Sequence, residues 1–363
     1  MIYLTDYRTT YTENTELFEN IVYPQKVHWF PELYARTKTG LVYPPHKLVE
    51  KLLDEAFLTK FREKSGKTAL ILAAGNANFA GINPRKHEDN QLNYNYKILP
   101  LTLTQVYAGR IAQLLGITDQ VTTDSSACAS SLKVMMDVYN LIKYYGFDRV
   151  VVLTVEDPVS NSVLEFFGEA KASLSHEEEK SGILPSAFDS HNYGFHVGQG
   201  AAIAVFEADK TNAKARFVSA YTASENSTNA IGQREDGEGF SKAILGAMHM
   251  ANLNYDQIAV VKTHGTGTKS NNMAEKEAIT KRLTKFVATS LKPKIGHTMG
   301  ASGLLETLIL LDNMQQGIIP GILNRTEKDS VFLSDDTKAR DGYILSLAAG
   351  MGNVYSAAIF ESM

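Results

Sequence analysis

Four stretches of this chain are apolar at nearly every residue rather than at every second one: 67–74 (Lys-Thr-Ala-Leu-Ile-Leu-Ala-Ala), 148–155 (Asp-Arg-Val-Val-Val-Leu-Thr-Val), 200–207 (Gly-Ala-Ala-Ile-Ala-Val-Phe-Glu) and 257–263 (Gln-Ile-Ala-Val-Val-Lys-Thr). A strand of that composition has to be covered on both faces, so these runs predict central strands of a sheet lying between layers of helix. Helical patterns alternate with them, at 48–63, 102–115, 128–145, 240–253, 273–285 and 301–316. The alternation predicts an α/β architecture.

A polar interruption at 208–214 (Ala-Asp-Lys-Thr-Asn-Ala-Lys) divides the pattern into an N-terminal half, 1–210, and a C-terminal half, 211–363. Each half holds a turn of small residues that opens a helix, one around Cys128 and one around His297 (Ile-Gly-His-Thr-Met-Gly-Ala-Ser-Gly, 295–303). The first of these helices carries Leu132, Met135, Met136, Val138, Tyr139 and Leu141 and is expected to stop at Gly146. The shared layout predicts a duplicated α/β unit.

With 36 basic against 40 acidic residues the formal net charge is −4, and no basic block offers an electrostatic footprint for nucleic acid. One local cluster, Lys60, Arg62, Lys64 and Lys67, closes a helical segment, where cations suit the negative end of the dipole. It is also a candidate dock for an acidic partner. A single cysteine excludes an internal disulfide framework and a Cys-rich zinc site, which suits a reducing compartment. The first residues lack a basic segment followed by a long apolar run, and no stretch approaches the roughly 20 apolar residues that span a bilayer. A soluble cytoplasmic protein, without membrane association, is expected.

Cys128 lies in Thr-Asp-Ser-Ser-Ala-Cys-Ala-Ser-Ser-Leu (123–132), between an extended stretch and a helix. A helix N-terminus lowers a thiol's pKa, so this position predicts a nucleophilic thiolate, the alternative being a small buried hydrophobe. A thiolate nucleophile needs an acid or base nearby. Of the nine histidines, two have unusual surroundings. His264 follows a strand and precedes Gly-Thr-Gly-Thr (265–268), at the kind of strand end where α/β folds bind ligands. That turn lacks the Gly-Lys-Ser/Thr ending of a P-loop. His297 stands between glycines just before a helix, with Lys292 and Lys294 close in sequence.

Taken together and in order, these segments resemble the β-ketoacyl synthase family of condensing enzymes. The resemblance rests on Ser125 to Leu132, His264 to Thr268, Lys292 to His297 with Gly300, Ala301 and Gly303, and on Phe188-Asp189 through Gly194-Phe195, Gly198, Gly200 and Ala201. It covers roughly residues 65–363. It implies a thiolase fold: duplicated α/β halves in a five-layer αβαβα sandwich, normally a homodimer, with a heterodimer of related subunits as the other form. It implies that Cys128 accepts an acyl chain from an acyl carrier protein, and that His264 and His297 then act on a malonyl-type extender. Lys292 is matched to the lysine that holds His297 and the local charge in place, and Glu275 to a glutamate hydrogen-bonded nearby. Thr266 and Thr268 match residues that bind the phosphopantetheine arm, and Met351 the gate whose backbone N–H completes an oxyanion hole with that of Cys128. Neither a metal nor a resident cofactor is implied, since the substrates travel on the carrier's phosphopantetheine.

Four positions depart from the family pattern: Asn192 stands for an arginine, Gln199 for a glutamate, Asn272 for an aspartate and Met351 for a phenylalanine. Two other readings use the same residues differently. Acyl transfer to another nucleophile without decarboxylation needs Cys128 and one histidine; a non-catalytic, chain-length-type partner subunit usually lacks the cysteine. A biosynthetic thiolase is disfavoured because its chemistry uses a second cysteine.

Overall fold

The computed structural model describes residues 1–19, 21–30, 44–75 and 103–363. A ten-stranded sheet runs through the molecule, and it is two copies of one five-stranded pattern. From its outer edge inward, the N-terminal part runs Gln120–Asp124, Thr68–Ala73, Arg149–Glu156, Gly200–Glu207, Ile2–Tyr11; the C-terminal part runs Val287–Thr289, Ile258–Lys262, Tyr343–Gly350, Val354–Ser362, Ala215–Ser224. In both, the outer three strands are parallel to one another and the inner two join antiparallel. The copies meet where Ile2–Leu4 pairs antiparallel with Ala215–Phe217. Segment 208–214 is the connection between Gly200–Glu207 and Ala215–Ser224.

Burial divides this sheet into layers. One apolar cluster joins Leu70, Leu72, Leu153 and Ile203 to the helices that carry Leu52, Phe57 and Ile111, on the outer face of the N-terminal part. A second joins Leu345, Leu347 and Ile359 to Phe240, Ile244 and Ile279, on the outer face of the C-terminal part. Between them lies a third, in which Val150, Val152 and Ala204 of one part and Ile344, Ala348 and Ala358 of the other enclose Leu132, Met135, Leu304 and Leu308. The helices after the Cys128 and His297 turns are therefore the middle layer of five. Among the described residues, no helix is long and apolar enough to cross a membrane.

The strands at 67–74, 148–155, 200–207 and 257–263 form as expected to within about a residue, but three helices differ. The expected helix 48–63 is two, Pro44–Leu52 and Glu55–Arg62, because the Asp54 side chain accepts from Phe57 N at 2.7 Å and starts a second helix. Helix 273–285 is instead Lys269–Thr280, its polar first turn (Lys-Ser-Asn-Asn) having hidden the start. Helix 128–145 begins as a 3-10 turn at Ala127–Ala129 and continues in two segments, Ser130–Lys133 and Met135–Lys143.

Each member of the basic cluster has a hydrogen-bond partner on the protein. Lys60 pairs with Asp6 at 2.7 Å, Lys64 with Glu207 at 2.6 Å, and Arg62 Nε and Lys67 Nζ donate to the carbonyls of Leu114 and Tyr145. Glu207 also ends an eight-residue strand whose first residue, Gly200, packs on Thr298 beside His297. At the usual rise, that strand separates Lys64 from the histidine by about 24 Å. The cluster thus lies near the far end of that strand from His297.

Candidate active site

Cys128 is held by a strained turn. Ala127 has φ 48°, a region L residues rarely occupy, and Ser130 locks it: Ser126 N donates to Ser130 Oγ at 2.8 Å, and Ser130 Oγ donates to the Ala127 carbonyl at 2.6 Å. The C-terminal half repeats the device. Met299 has φ 43°, Met299–Ala301 is a 3-10 turn, and Ser302 Oγ lies 2.9 Å from His297 Nδ1 and 3.2 Å from Thr298 Oγ1. In that register Gly300 occupies the place of Cys128. A Cβ there would lie 2.3 Å from Gly75 N, so the second turn has no room for a nucleophile. The two turns touch, with Cys128 Sγ 4.0 Å from Met299 Sδ and Leu304 N donating to Ser131 Oγ at 3.0 Å.

His264 is fixed through its backbone. Glu275 accepts from His264 N at 2.5 Å and Gly265 N at 2.9 Å, and Asn271 Nδ2 donates to the same carboxylate at 3.0 Å. The turn that follows needs glycine: Gly267 has φ 73°, and a Cβ on it would lie 1.9 Å from the Ser186 carbonyl oxygen. Gly267→Ala is expected to lower stability by about 2–4 kcal/mol in thermal unfolding, since it adds backbone strain to a clash that cannot relax; an unchanged melt would contradict this geometry. Thr266 Oγ1 and Thr268 Oγ1 lie 3.0 Å apart at the mouth of this turn.

The two histidines meet. Their ring centroids are 5.7 Å apart at 84°, and the His297 ring also stands 5.0 Å from Phe195, edge to face. Lys292 is fully buried; its Nζ donates to the His264 carbonyl at 2.5 Å and to Glu306 Oε1 at 2.8 Å. Lys292 thus touches the His264 segment, where His297 was expected, and its carboxylate partner is Glu306; Glu275 is hydrogen-bonded nearby, to the His264 and Gly265 amides. Glu306 also takes Lys262 Nζ on its other oxygen at 3.2 Å. Neither Glu306 nor Lys262 was singled out from the sequence. The signal was there, a carboxylate within the apolar run 304–311 of the helix Ser302–Gln315 and a lone ammonium ending the apolar strand Ile258–Lys262.

Burial shapes the electrostatics more than the helix does. It pushes the Cys128 thiol up to about 12, with Lys292 pulling the other way and Glu156 adding to the rise. This reverses the expectation of a thiolate stabilised at a helix N-terminus, because the buried site penalises the anion more than one short 3-10 turn rewards it. Burial and the nearby Lys292 hold both His264 and His297 well below the ordinary imidazole value, so both rings are neutral at pH 7.

A cavity of about 370 Å³ opens on the thiol, walled by Val163, Phe166, Phe167, Met299 and Met351 together with Cys128. Gly350 approaches so closely that a Cβ on it would lie 3.3 Å from Cys128 N, which sets the Met351 loop against the nucleophile turn. Three of the substituted positions are hydrogen-bonded through neutral amide side chains. Asn192 bridges Leu184 N and the Asn324 carbonyl, Gln199 holds Phe30 N and Asp157, and Asn272 Nδ2 points to the Gly267 carbonyl at 3.5 Å.

Two family models, described as the N-terminal and C-terminal domains of beta-ketoacyl synthase, match residues 47–212 and 215–326. The chain belongs to the β-ketoacyl synthase family. Among curated relatives it is 29 % identical over 238 residues to the 3-oxoacyl-[acyl-carrier-protein] synthase 2 of Vibrio cholerae, covering 62 % of this chain and 57 % of the relative. It is 28 % identical over 264 residues to the tetracenomycin polyketide synthase ketoacyl synthase alpha subunit of Streptomyces glaucescens, covering 69 % and 62 %. The match thus spans less than two thirds of those β-ketoacyl synthases. One solved structure, a type II polyketide acyl-carrier protein in complex with its ketosynthase bound to the hexaketide, superposes with a TM-score of 0.82 at 16 % identity over 100 % of this chain and 99 % of that one. The fold is the thiolase fold, as expected.

Proposed function

We propose that this β-ketoacyl synthase catalyses a decarboxylative Claisen condensation between an acyl chain on Cys128 and a malonyl-type extender, both delivered by acyl carrier protein. The observation that carries the reading is the pair of neutral, buried imidazoles, His264 and His297, set 5.7 Å apart and backed by Lys292 within the field of the single thiol. Cys128 takes the acyl group from the carrier thioester, and the carrier thiol leaves with the proton. The extender then loses its carboxylate: the bond to that carbon breaks, carbon dioxide departs, and the electron pair forms an enolate whose oxygen accepts the imidazole N–H groups. The enolate carbon attacks the acyl-Cys128 carbonyl, and the Cys128 thiolate leaves. In this scheme the backbone N–H groups of Cys128 and Met351 receive the oxyanion, each such donor being worth about 3 kcal/mol, and Thr266 and Thr268 hold the pantetheine arm. The apolar cavity beside Cys128 accommodates the acyl chain. The acting form is a dimer, with itself or with a related subunit.

Neutral donors suit this chemistry because they bind the developing enolate better than the starting carboxylate. His297→Ala and His264→Ala are each expected to lower carbon dioxide release from malonyl-carrier by about 100-fold, in line with the loss of one preorganised donor. Release unchanged in both variants would overturn the decarboxylative reading, and acyl transfer to another nucleophile without release would replace it.

A further inference from the structure

Lys262 is a charged group behind the two histidines that the scheme above does not use. It ends the strand Ile258–Lys262, two residues before His264, and is wholly buried. Its Nζ donates to the Leu347 carbonyl at 2.8 Å and to Glu306 Oε2 at 3.2 Å, while Lys292 holds the other oxygen of the same carboxylate. Two ammonium groups therefore hydrogen-bond one carboxylate in a dry interior. Glu275, on the neighbouring helix Lys269–Thr280, is raised by burial and is occupied by the His264 and Gly265 amides.

Such an arrangement is a poor stabilising device. A buried pair roughly breaks even against apolar residues of similar size, and a second ammonium without its own counter-ion does worse. Methionine would fill the space of the lysine stem at no such penalty, so the charge calls for another explanation. The field at the imidazoles supplies it. Behind burial and Lys292, and for His264 also behind His297, the charge of Lys262 is a further influence holding both imidazoles below the ordinary value. A protonated imidazole would pair with the carboxylate of the extender and stabilise the state that has to react, whereas a neutral N–H favours the enolate.

We propose that Lys262 is a positioning residue whose charge, shared through Glu306 with Lys292, favours the neutral state of His264 and His297 that the condensation requires. The inference rests on the decarboxylative reading for its purpose, but not for its test. Besides burial, Glu306, Lys292 and Glu275 act on Lys262, and Lys262 in turn acts on the two histidines. Burial lowers the Lys262 ammonium to about 8, so its charge is in place throughout the range in which an imidazole would gain a proton.

The experiment is an NMR titration of the ring carbons of His264 and His297, assigned by single histidine replacements, in the native protein, Lys262→Met and Lys262→Arg. A buried unit charge at this range shifts a neighbour by on the order of one to two pH units. Both imidazole midpoints should rise by at least about one unit in Lys262→Met, and Lys262→Arg should restore the native values. Carbon dioxide release from malonyl-carrier should then acquire an acid limb in Lys262→Met that the native protein and Lys262→Arg lack. Imidazole midpoints that are the same in native protein and Lys262→Met would overturn the proposal. Where Lys262→Met does not fold, Lys262→Gln carries the same comparison. Absence of carbon dioxide release from the native protein would count against the decarboxylative reading alone, since the titration judges Lys262 without it.

Discussion

Replacing Cys128 by alanine should leave a folded protein that no longer takes an acyl group. Intact-mass measurement after incubation with an acyl-carrier thioester is expected to show one added acyl group on the native chain and none on Cys128→Ala, with condensation reduced by at least about 1,000-fold. Stability should change little, by about 1 kcal/mol, because the thiol is a small buried group that makes only a weak contact with Met299 Sδ at 4.0 Å. Carbon dioxide release should survive, since the enolate is stabilised by His264 and His297. The combination is diagnostic: a structural cysteine predicts lost stability without lost chemistry, and a general loss of fold predicts that both activities fall together. No adduct on the native protein would sink acylation of Cys128 in either enzymatic reading.

The second large effect belongs to Glu306. Removing its carboxylate leaves Lys262 and Lys292 buried without the carboxylate they contact, and breaking such a cluster from one side costs about 3–5 kcal/mol. Glu306→Leu is therefore expected to melt well below the native protein, whereas the triple replacement Lys262→Met, Lys292→Met, Glu306→Leu should recover much of the loss in stability while remaining inactive. The pH dependence follows from Lys262. Its folded value, about 8, lies below the unfolded 10.5, so the unfolded chain binds more protons between the two, and the contribution of this group to stability rises as pH climbs through that window. A melting temperature of Glu306→Leu equal to that of the native protein would show that the cluster is not paired as described.

Much of the scaffold was legible because a strand buried on both faces leaves an unbroken apolar run. Gly200–Glu207 was bounded correctly for that reason. Ile2–Tyr11 was not, because its Tyr- and Thr-rich outer part is half-buried and its role depends on partners some 200 residues away, at Gly200–Glu207 and Ala215–Phe217. At the site, Cys128, His264, His297 and Lys292 stand out because their neighbours are small residues and glycines that permit close approach. What a linear reading misses is pairing across the fold. Glu275 and Glu306 look alike as isolated acidic residues, and only the packing of helix Ser302–Gln315 against the Lys292 segment decides that the lysine takes Glu306. The thiol illustrates a competition of the same kind: its place in sequence argues for a low pKa, and its burial, a property of the whole fold, wins.

The central claim is that decarboxylation and carbon–carbon bond formation occur at one site around Cys128. The direct measurement follows carbon dioxide and product together when native protein is given an acyl-carrier thioester and malonyl-carrier labelled at its free carboxylate. One labelled carbon dioxide released per β-ketoacyl-carrier formed, with product absent in Cys128→Ala, is the predicted result. Acyl transfer without carbon dioxide, or product formed equally well by Cys128→Ala, would contradict it.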